Sequence, residues 1–284
     1  MVMQLALGME VKMQPGVGPK FTEPLNSPKD LDRLNAQVDV RKELNYVYKS
    51  ITLTRHRLEG KVPLIGFAGA PWTLMSYMIE GGSSNTYSKA KRWLYTEPQS
   101  SHILLRLLTK IIVEHLIQQV LSGAQLLQVF ESHAGFLSPH LFDTFCLPYL
   151  KEIANQVRNR LLNEYNIPRD SIPPLIVFAK DGHYALTELS KADYDVISLD
   201  WTISPRLARN IVGSNITLQG NLDPCALYSS EEEISNLVKE MINNFSVHRY
   251  IVNLGHGIYP DVDPDKVNKF VNLVHQLSNP MLNN

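Results

Sequence analysis

The chain has 284 residues, 44% of them hydrophobic and 19% charged, which suits one large α/β domain and argues against intrinsic disorder. Its formal net charge of −1 gives no electrostatic reason to bind nucleic acid or an anionic membrane surface. The two unclustered cysteines, Cys146 and Cys225, are typical of reduced thiols in the cytosol. Residues 1–14 lack a basic region before their apolar run, so we predict no signal peptide, and no apolar run reaches the roughly 18 residues of a membrane span.

The first fifty residues carry the weakest pattern. Residues 5–14 and 21–25 predict the two arms of a hairpin, because the proline- and glycine-rich residues 15–19 between them favour a turn. Residues 30–50 predict a helix that continues towards the next strand.

The stretch of residues 62–81 predicts a strand followed by a helix. Residues 62–67 are an apolar run, which predicts a strand buried on both faces, as in a parallel sheet. A buried helix is the alternative, but Gly69 and Pro71 would break one. The chain then turns into a helix that carries Tyr77, so the carboxyl end of the strand opens onto small residues, where α/β proteins bind ligands.

Strands and helices alternate along the rest of the chain. The clearest helix is Pro98–Leu121, closed by Gly123. We predict six strands, each followed by a helix, near residues 62, 126, 175, 196, 216 and 250. This alternation predicts a parallel sheet, and the absence of a glycine-rich phosphate fingerprint favours a TIM-type (β/α)8 barrel. A closed barrel needs eight strands, and residues 1–61 supply no clear candidate for the other two.

Polar and aromatic side chains follow these strands, and in a barrel they would share one mouth. Asp200 and Asp223 can equally be helix caps, and Tyr77 can equally be a core tyrosine, whereas packing is favoured over ligand contact for Trp201. The full set is Tyr77, Glu131, Ser132, His133, Lys180, His183, Asp200, Trp201, Gln219, Asn221, Asp223, Asn253 and His256.

Lys180 and His256 are the strongest candidates for function in this set. A buried strand that runs directly into a lysine costs free energy unless the charge has a partner, and flanking glycines expose His256. Donors, a cation and aromatic walls together suit an organic polyanion. Lys180 can also form a Schiff base, as in a barrel aldolase, and the sequence shows no metal-ligand spacing.

Six motifs closely resemble those of the uroporphyrinogen decarboxylase family, and the resemblance covers nearly the whole chain. They are residues 66–81, 130–135, 178–183, 199–201, 218–224 and 253–257. The resemblance implies a single barrel domain over residues 1–284, a homodimer and a cytoplasmic enzyme of haem synthesis. It also implies cofactor-free decarboxylation of the four acetate side chains of uroporphyrinogen III, giving coproporphyrinogen III, with neither nucleic acid nor membrane as a partner.

The substrate contacts of the family map onto Tyr77, Ser132 and His256, whose donors suit carboxylates. No catalytic residue is carried over. The family aspartate precedes the stretch equivalent to residues 6–8, and Val2-Met3-Gln4-Leu5 stands there. The chain therefore looks like a truncated copy without the first two strands and an arginine-rich motif. Losing a group that stabilises a transition state predicts activity lower by about a hundred- to a thousandfold.

Other functions compete with this expectation. A barrel methyltransferase would hold zinc with His and Cys, and Cys225 has no suitably spaced partner. A non-catalytic protein that dimerises with an intact decarboxylase fits the missing aspartate. A binding module without any link to haem is the least specific alternative.

Overall fold

The computed structural model describes residues 2–15, 18–245 and 248–282. The chain divides into two compact units, Met1–Ile176 and Val177–Asn284. The strands are β1 Val11–Gln14, β2 Gly18–Phe21, β3 Ile65–Gly69, β4 Leu126–Glu131, β5 Leu175–Ala179, β6 Val196–Ser198, β7 Thr217–Leu222 and β8 Tyr250–Leu254. The helices of the first unit are α1 Val2–Ala6, α2 Val40–Glu43, α3 Asn45–Leu58, α4 Pro71–Glu80, α5 Ser88–Thr96, α6 Pro98–Leu121, α7 Pro139–Phe145 and α8 Leu147–Asn163. Those of the second unit are α9 Leu186–Leu189, α10 Pro205–Val212, α11 Glu231–Phe245 and α12 Pro264–Leu282.

The main sheet confirms the predicted α/β class. Within the described residues it holds six strands, in the order β3-β4-β5-β6-β7-β8, and β5 contains the boundary between the two units. The pairs β3–β4, β6–β7 and β7–β8 are parallel, with Ile65 opposite Leu126 and Leu218 opposite Tyr250. Helices separate successive strands, so the carboxyl ends of the strands within each unit point the same way.

The predicted N-terminal hairpin exists but is shorter than the sequence suggested. Only β1 and β2 pair, antiparallel, with Val11 opposite Phe21. Residues 5 and 6 belong to the short helix α1, and Leu25 lies outside the hairpin. Its tip includes residues 16 and 17, which lie outside the described residues.

The prediction of a single helix over residues 30–50 was wrong. A 3-10 helix at Pro28–Arg33 precedes α2 and α3, and the backbone between Leu34 and Asp39 is not helical. Asp39 begins α2 by accepting a hydrogen bond from the backbone N–H of Lys42. The side-chain cap therefore starts a new helix where hydrophobic periodicity alone suggested continuity.

The prediction that the first β/α strand is buried on both faces was also wrong. Strand β3 begins at Ile65 rather than Val62, and its burial alternates along the strand. Ile65 and Phe67 are 44% and 62% exposed. On its other face, Gly66 packs against Gln119 of α6, where a Cβ would lie 2.7 Å from Oε1. Helix α6 therefore covers only one face of β3, and the apolar run comes from exposed as well as buried positions.

Helix α6 forms the centre of the first unit, with the bounds that the sequence predicted. Its apolar stripe, which includes Leu104, Leu108 and Ile112, is fully buried. It packs against α4 and α8. At the next helix pair, the hydroxyl of Ser138 caps α7, and Pro148 stands in the first turn of α8.

In the second unit, α11 packs against α12 and β7. Gly213 follows α10 with a φ of 78°, a backbone conformation that favours glycine and ends the helix. Among the described residues of the whole chain, no helix combines the length and apolar character needed to cross a bilayer.

Candidate active site

In the first unit, candidate residues lie where β3 and β4 reach their carboxyl ends. Tyr77 is on α4, which starts two residues after β3, and Ser132 directly follows β4. The buried indole of Trp72 ties the two segments together, because its Nε1–H donates to the carbonyl oxygen of His133 at 3.2 Å. Both Tyr77 and Ser132 are half-buried, so each can contact solvent or a ligand.

A buried carboxyl group holds the turn after β4. Glu131 is fully buried, and its Oε1 accepts the hydroxyl of Thr73 at 2.5 Å and the N–H of His133 at 3.4 Å. The N–H of Ser132 donates to the same hydroxyl oxygen of Thr73 at 2.9 Å. Burial raises the pKa of Glu131 to about 7, since the charged form loses its hydration. Glu131 is therefore an internal anchor of the turn, and it does not line an open mouth.

His133 is also buried, within a cluster of aromatic rings. Its ring centroid lies 3.9 Å from that of Tyr87 and 4.8 Å from that of Tyr77. Its Nδ1 is 2.6 Å from Oγ of Ser76. Because the hydroxyl of Ser76 donates to the carbonyl oxygen of Thr73, we assign Nδ1 of His133 as the protonated nitrogen. Burial also raises the pKa of Tyr87, so this phenol stays neutral beside the histidine.

In the second unit, strand β5 runs into Lys180, and the lysine has the charge partner that its position predicted. Its Nζ lies 2.6 Å from Oδ2 of Asp181 and 5.8 Å from the ring centroid of Trp201. The Lys180 side chain is only 28% exposed, so the carboxylate and the indole face replace part of the hydration of its ammonium group.

Asp200, which lies just after β6, accepts several hydrogen bonds. It is 1% exposed, and its two oxygens accept the N–H of Asp181 at 2.6 Å and the N–H and hydroxyl of Thr202 at 2.9 and 2.5 Å. Nε2 of His183 contacts Oγ1 of Thr202 and lies 3.5 Å from Asp200. Asp200 is thus the buried end of a polar chain that reaches the half-exposed His183, and it does not cap a helix.

Four other predicted residues make hydrogen bonds within the protein. Asn221 is buried, and its Nδ2 donates to the carbonyl oxygens of Asp200 and Ile203 at 2.8 and 2.9 Å. Asp223 accepts the N–H of Cys225 at 2.8 Å and starts a 3-10 helix, as its cap interpretation predicted. Gln219 is buried and donates to Ser198, while the exposed Asn253 accepts the N–H of Leu254.

His256 is exposed between Gly255 and Gly257, as the flanking glycines predicted. Its ring centroid lies 6.3 Å from that of Trp201 and 6.5 Å from that of Phe178. Gly255 allows this approach, because a Cβ there would lie 2.7 Å from the backbone nitrogen of Trp201.

The structure thus brings the candidates together in two groups. Tyr77, Ser132, His133 and the anchor Glu131 belong to the first unit; Lys180, His183, Asp200, Trp201 and His256 belong to the second. A common site for Tyr77, Ser132 and His256 stays a prediction.

Sequence reasoning missed Thr73, Ser76, Tyr87 and Thr202. Thr73 and Ser76 stand three residues apart on the helix that follows β3, so their hydroxyls share a face, and this spacing was a usable signal. Tyr87 precedes α5 with a φ of 47°, in a loop without any periodic pattern. Among the described residues, no group of three or more His, Cys, Asp or Glu side chains is arranged to hold a metal ion.

A parallel sheet with helices between its strands and polar residues at the strand ends defines a β/α protein of the TIM-barrel type. A methyltransferase from Methanosarcina mazei shares this fold, with a TM-score of 0.80 over 97% of this chain and 77% of that structure, at 18% identity. A B12-independent methionine synthase from Shewanella sp. is similar over 83% of this chain and 66% of that structure, with a TM-score of 0.56 and 12% identity. At such identities the likeness concerns the fold alone.

The sequence comparisons give the family. The family profile described as "Uroporphyrinogen decarboxylase (URO-D)" matches residues 1–277. The human uroporphyrinogen decarboxylase is 59% identical over 278 residues, which are 98% of this chain and 75% of that protein. The Salinibacter ruber uroporphyrinogen decarboxylase is 50% identical over 281 residues, 99% of this chain and 77% of that protein. The chain belongs to the uroporphyrinogen decarboxylase family, and it spans about three quarters of the length of these relatives.

Proposed function

We propose that the chain acts in haem synthesis as a carboxy-lyase, which removes carbon dioxide from the acetate side chains of uroporphyrinogen and yields coproporphyrinogen. The observation that carries this proposal is the 59% identity to the human uroporphyrinogen decarboxylase over 98% of the chain. The methyltransferase alternative has much weaker support, because the similarity to that class is 18% identity.

The substrate is a polycarboxylate, so binding requires hydrogen-bond donors and positive charge. Tyr77 and Ser132 are half-buried residues with hydroxyl groups, and His256 is an exposed residue with an imidazole. We assign these three to the substrate carboxylates. Lys180, fixed against Asp181 and Trp201, adds a cation in the same unit as His256.

The chemical step has two requirements. Departure of carbon dioxide leaves an electron pair on the side-chain carbon, so the macrocycle must accept charge and that carbon must then receive a proton. The chain from Asp200 through the hydroxyl of Thr202 to the half-exposed His183 holds exchangeable protons. It is therefore our candidate for the proton supply of this reaction.

The proposal includes a cytoplasmic homodimer that works without a cofactor. Light scattering coupled to size-exclusion chromatography tests the dimer, whose expected mass is twice 32.2 kDa. If the measured mass is that of one chain at the concentration used for the assay, the dimer is rejected, and the proposed reaction is unaffected.

The decisive experiment incubates the purified 284-residue chain with uroporphyrinogen under anaerobic conditions. The products are oxidised and separated by carboxyl number, with the human relative as positive control. We expect porphyrins with progressively fewer carboxyl groups, and the ratio of the two turnover rates measures the reduction in activity expected from the sequence. The proposal is rejected if this chain neither forms product nor binds the substrate.

Variants then test the three assigned residues. We expect Tyr77→Phe, Ser132→Ala and His256→Gln each to lower kcat/KM by about tenfold, the effect of losing one hydrogen bond to a charged group. Tyr95→Phe is a matched control, because Tyr95 is 69% exposed on α5. Equal kcat/KM values for Tyr77→Phe and Tyr95→Phe would remove Tyr77 from the site.

A further inference from the structure

The hydroxyl of Thr73 joins helix α4 to the turn after β4. Thr73 is 4% exposed and stands in the first turn of α4. Its Oγ1 lies 2.5 Å from Oε1 of Glu131 and 2.9 Å from the backbone nitrogen of Ser132. These residues are separated by 58 and 59 positions in the chain, so the contact is made by the fold.

The directions of these hydrogen bonds follow from the donors. The N–H of Ser132 donates to Thr73, so the hydroxyl hydrogen of Thr73 is left to point at Oε1 of Glu131. The same Oε1 accepts the N–H of His133. One carboxyl oxygen and one hydroxyl therefore fix the backbone at both residues of the turn.

This arrangement is not the one that stability alone favours. Oε2 of Glu131 is buried and has no hydrogen-bond partner among the described residues. A half-satisfied buried carboxyl group costs free energy, and apolar side chains of the same shape would avoid that cost. A cost of this kind at a strand end points to a role in the site.

The turn after β4 also determines the position of the aromatic cluster around His133. The ring of His133 lies between Ser76 and Tyr87, and it contacts Tyr77 edge-on at a centroid distance of 4.8 Å. A shift of the backbone at His133 would therefore displace the ring against which Tyr77 packs.

We infer that Thr73 and Glu131 are positioning residues, which fix the turn after β4 so that Ser132 and Tyr77 face the substrate together. This inference rests on the proposed function for the identity of the substrate. In this role, neither Thr73 nor Glu131 contacts the substrate, and both act through Ser132 and His133.

The test compares Thr73→Val, which removes the hydroxyl at nearly constant shape, with Thr73→Ser, which keeps it. Thr109→Val is the matched control, because Thr109 is fully buried on α6 and its hydroxyl donates only within that helix, to Leu105. We expect Thr73→Val to lower kcat/KM for uroporphyrinogen by about 10- to 100-fold, since small displacements of binding groups have effects of that size. Thr73→Ser and Thr109→Val should remain within about threefold of the unsubstituted chain.

A second measurement does not depend on turnover. The ring protons of His133 experience the ring current of Tyr87, so their NMR shifts report the position of the turn. We expect them to move in Thr73→Val and to stay in Thr109→Val. If Thr73→Val does not fold, Thr73→Ala and Thr109→Ala take the place of the two valine variants.

The outcomes separate the two proposals. If the unsubstituted chain turns over uroporphyrinogen and Thr73→Val behaves like Thr109→Val, the positioning role is overturned and the proposed function stands. If the chain neither binds nor converts the substrate, the proposed function fails, and the His133 shifts alone decide whether Thr73 fixes the turn. Unchanged shifts in Thr73→Val would also overturn the inference.

Discussion

The phenolic oxygen of Tyr48 lies 3.0 Å from Nδ1 of His115, inside the first unit and 67 residues away in the chain. His115 is 3% exposed on α6, and Tyr48 is 5% exposed on α3. Burial lowers the pKa of His115 to about 4 and raises that of Tyr48. Both groups are therefore neutral near pH 7, and the bond between them links α3 to α6 without a charge.

This pair predicts a loss of stability in acid. The unfolded chain binds a proton at His115 near pH 6.5, whereas the folded chain binds it only near pH 4. The contribution of His115 is therefore complete above pH 6.5 and falls by about 3 kcal/mol as the pH drops to 4. We expect His115→Gln to remove this dependence, as measured by urea unfolding across that range. His140→Gln, at an exposed position, should leave it intact.

Glu131 predicts a dependence of the opposite sign. Its pKa is raised from 4.5 in the unfolded chain to about 7 in the fold, so the folded state holds the proton more tightly. Its contribution is complete below pH 4.5 and falls by about 3 kcal/mol as the pH rises to 7. Between pH 4.5 and 6.5 the two effects oppose each other. We expect Glu131→Gln to expose the rise of stability with pH caused by His115, and His115→Gln to expose the fall caused by Glu131. Parallel pH profiles for the two variants would contradict both assignments.

The sequence predicts those parts of the fold that are determined by residues close together in the chain. Helix α6 and the six parallel strands follow from hydrophobic periodicity and from glycine and proline boundaries, so they were predicted. The exposure of Phe67 was not predicted, because an apolar run does not indicate which face of the strand a neighbouring helix covers. The break between Leu34 and Asp39 was missed because side-chain capping outweighed helix propensity there.

The candidate site shows the same limit. Ser132 lies at the carboxyl end of β4 in the first unit, and Lys180 and His256 lie just after β5 and β8 in the second unit. These positions follow from the alternation of β and α elements. Whether a strand-end residue faces solvent or anchors the interior depends on partners distant in sequence. Glu131 is an anchor because Thr73 reaches it across 58 positions, and no local pattern records that contact.

Gly255 predicts a steric effect on the second unit. A Cβ there would lie 2.7 Å from the backbone nitrogen of Trp201 and 3.1 Å from the backbone of Asp200, and backbone atoms cannot move aside cheaply. We expect Gly255→Ala to destabilise the fold by about 1–3 kcal/mol and to displace His256. Gly257→Ala is the control, because a Cβ there meets no atom within 4 Å. Chemical unfolding of the two variants checks the difference, and equal stability would show that the Gly255 segment is not packed this closely.

The hydrogen bonds of Asn221 lead us to expect that exchanging its amide donor for an acceptor destabilises the fold. Its Nδ2 is buried and donates to the carbonyl oxygens of Asp200 and Ile203, so both hydrogens of the amide are used. Asn221→Asp replaces this double donor with an acceptor of the same size and leaves two buried carbonyl oxygens unpaired. We expect a loss of about 2–4 kcal/mol in the free energy of unfolding, since each unpaired buried group costs about 1–3 kcal/mol. Asn243→Asp, at an exposed position on α11, should change stability by no more than about 0.5 kcal/mol. The comparison is made at pH 8 by urea unfolding, where the introduced carboxyl group would be charged if it were solvated. If Asn221→Asp proved as stable as Asn243→Asp, the amide would not be holding the Asp200 segment.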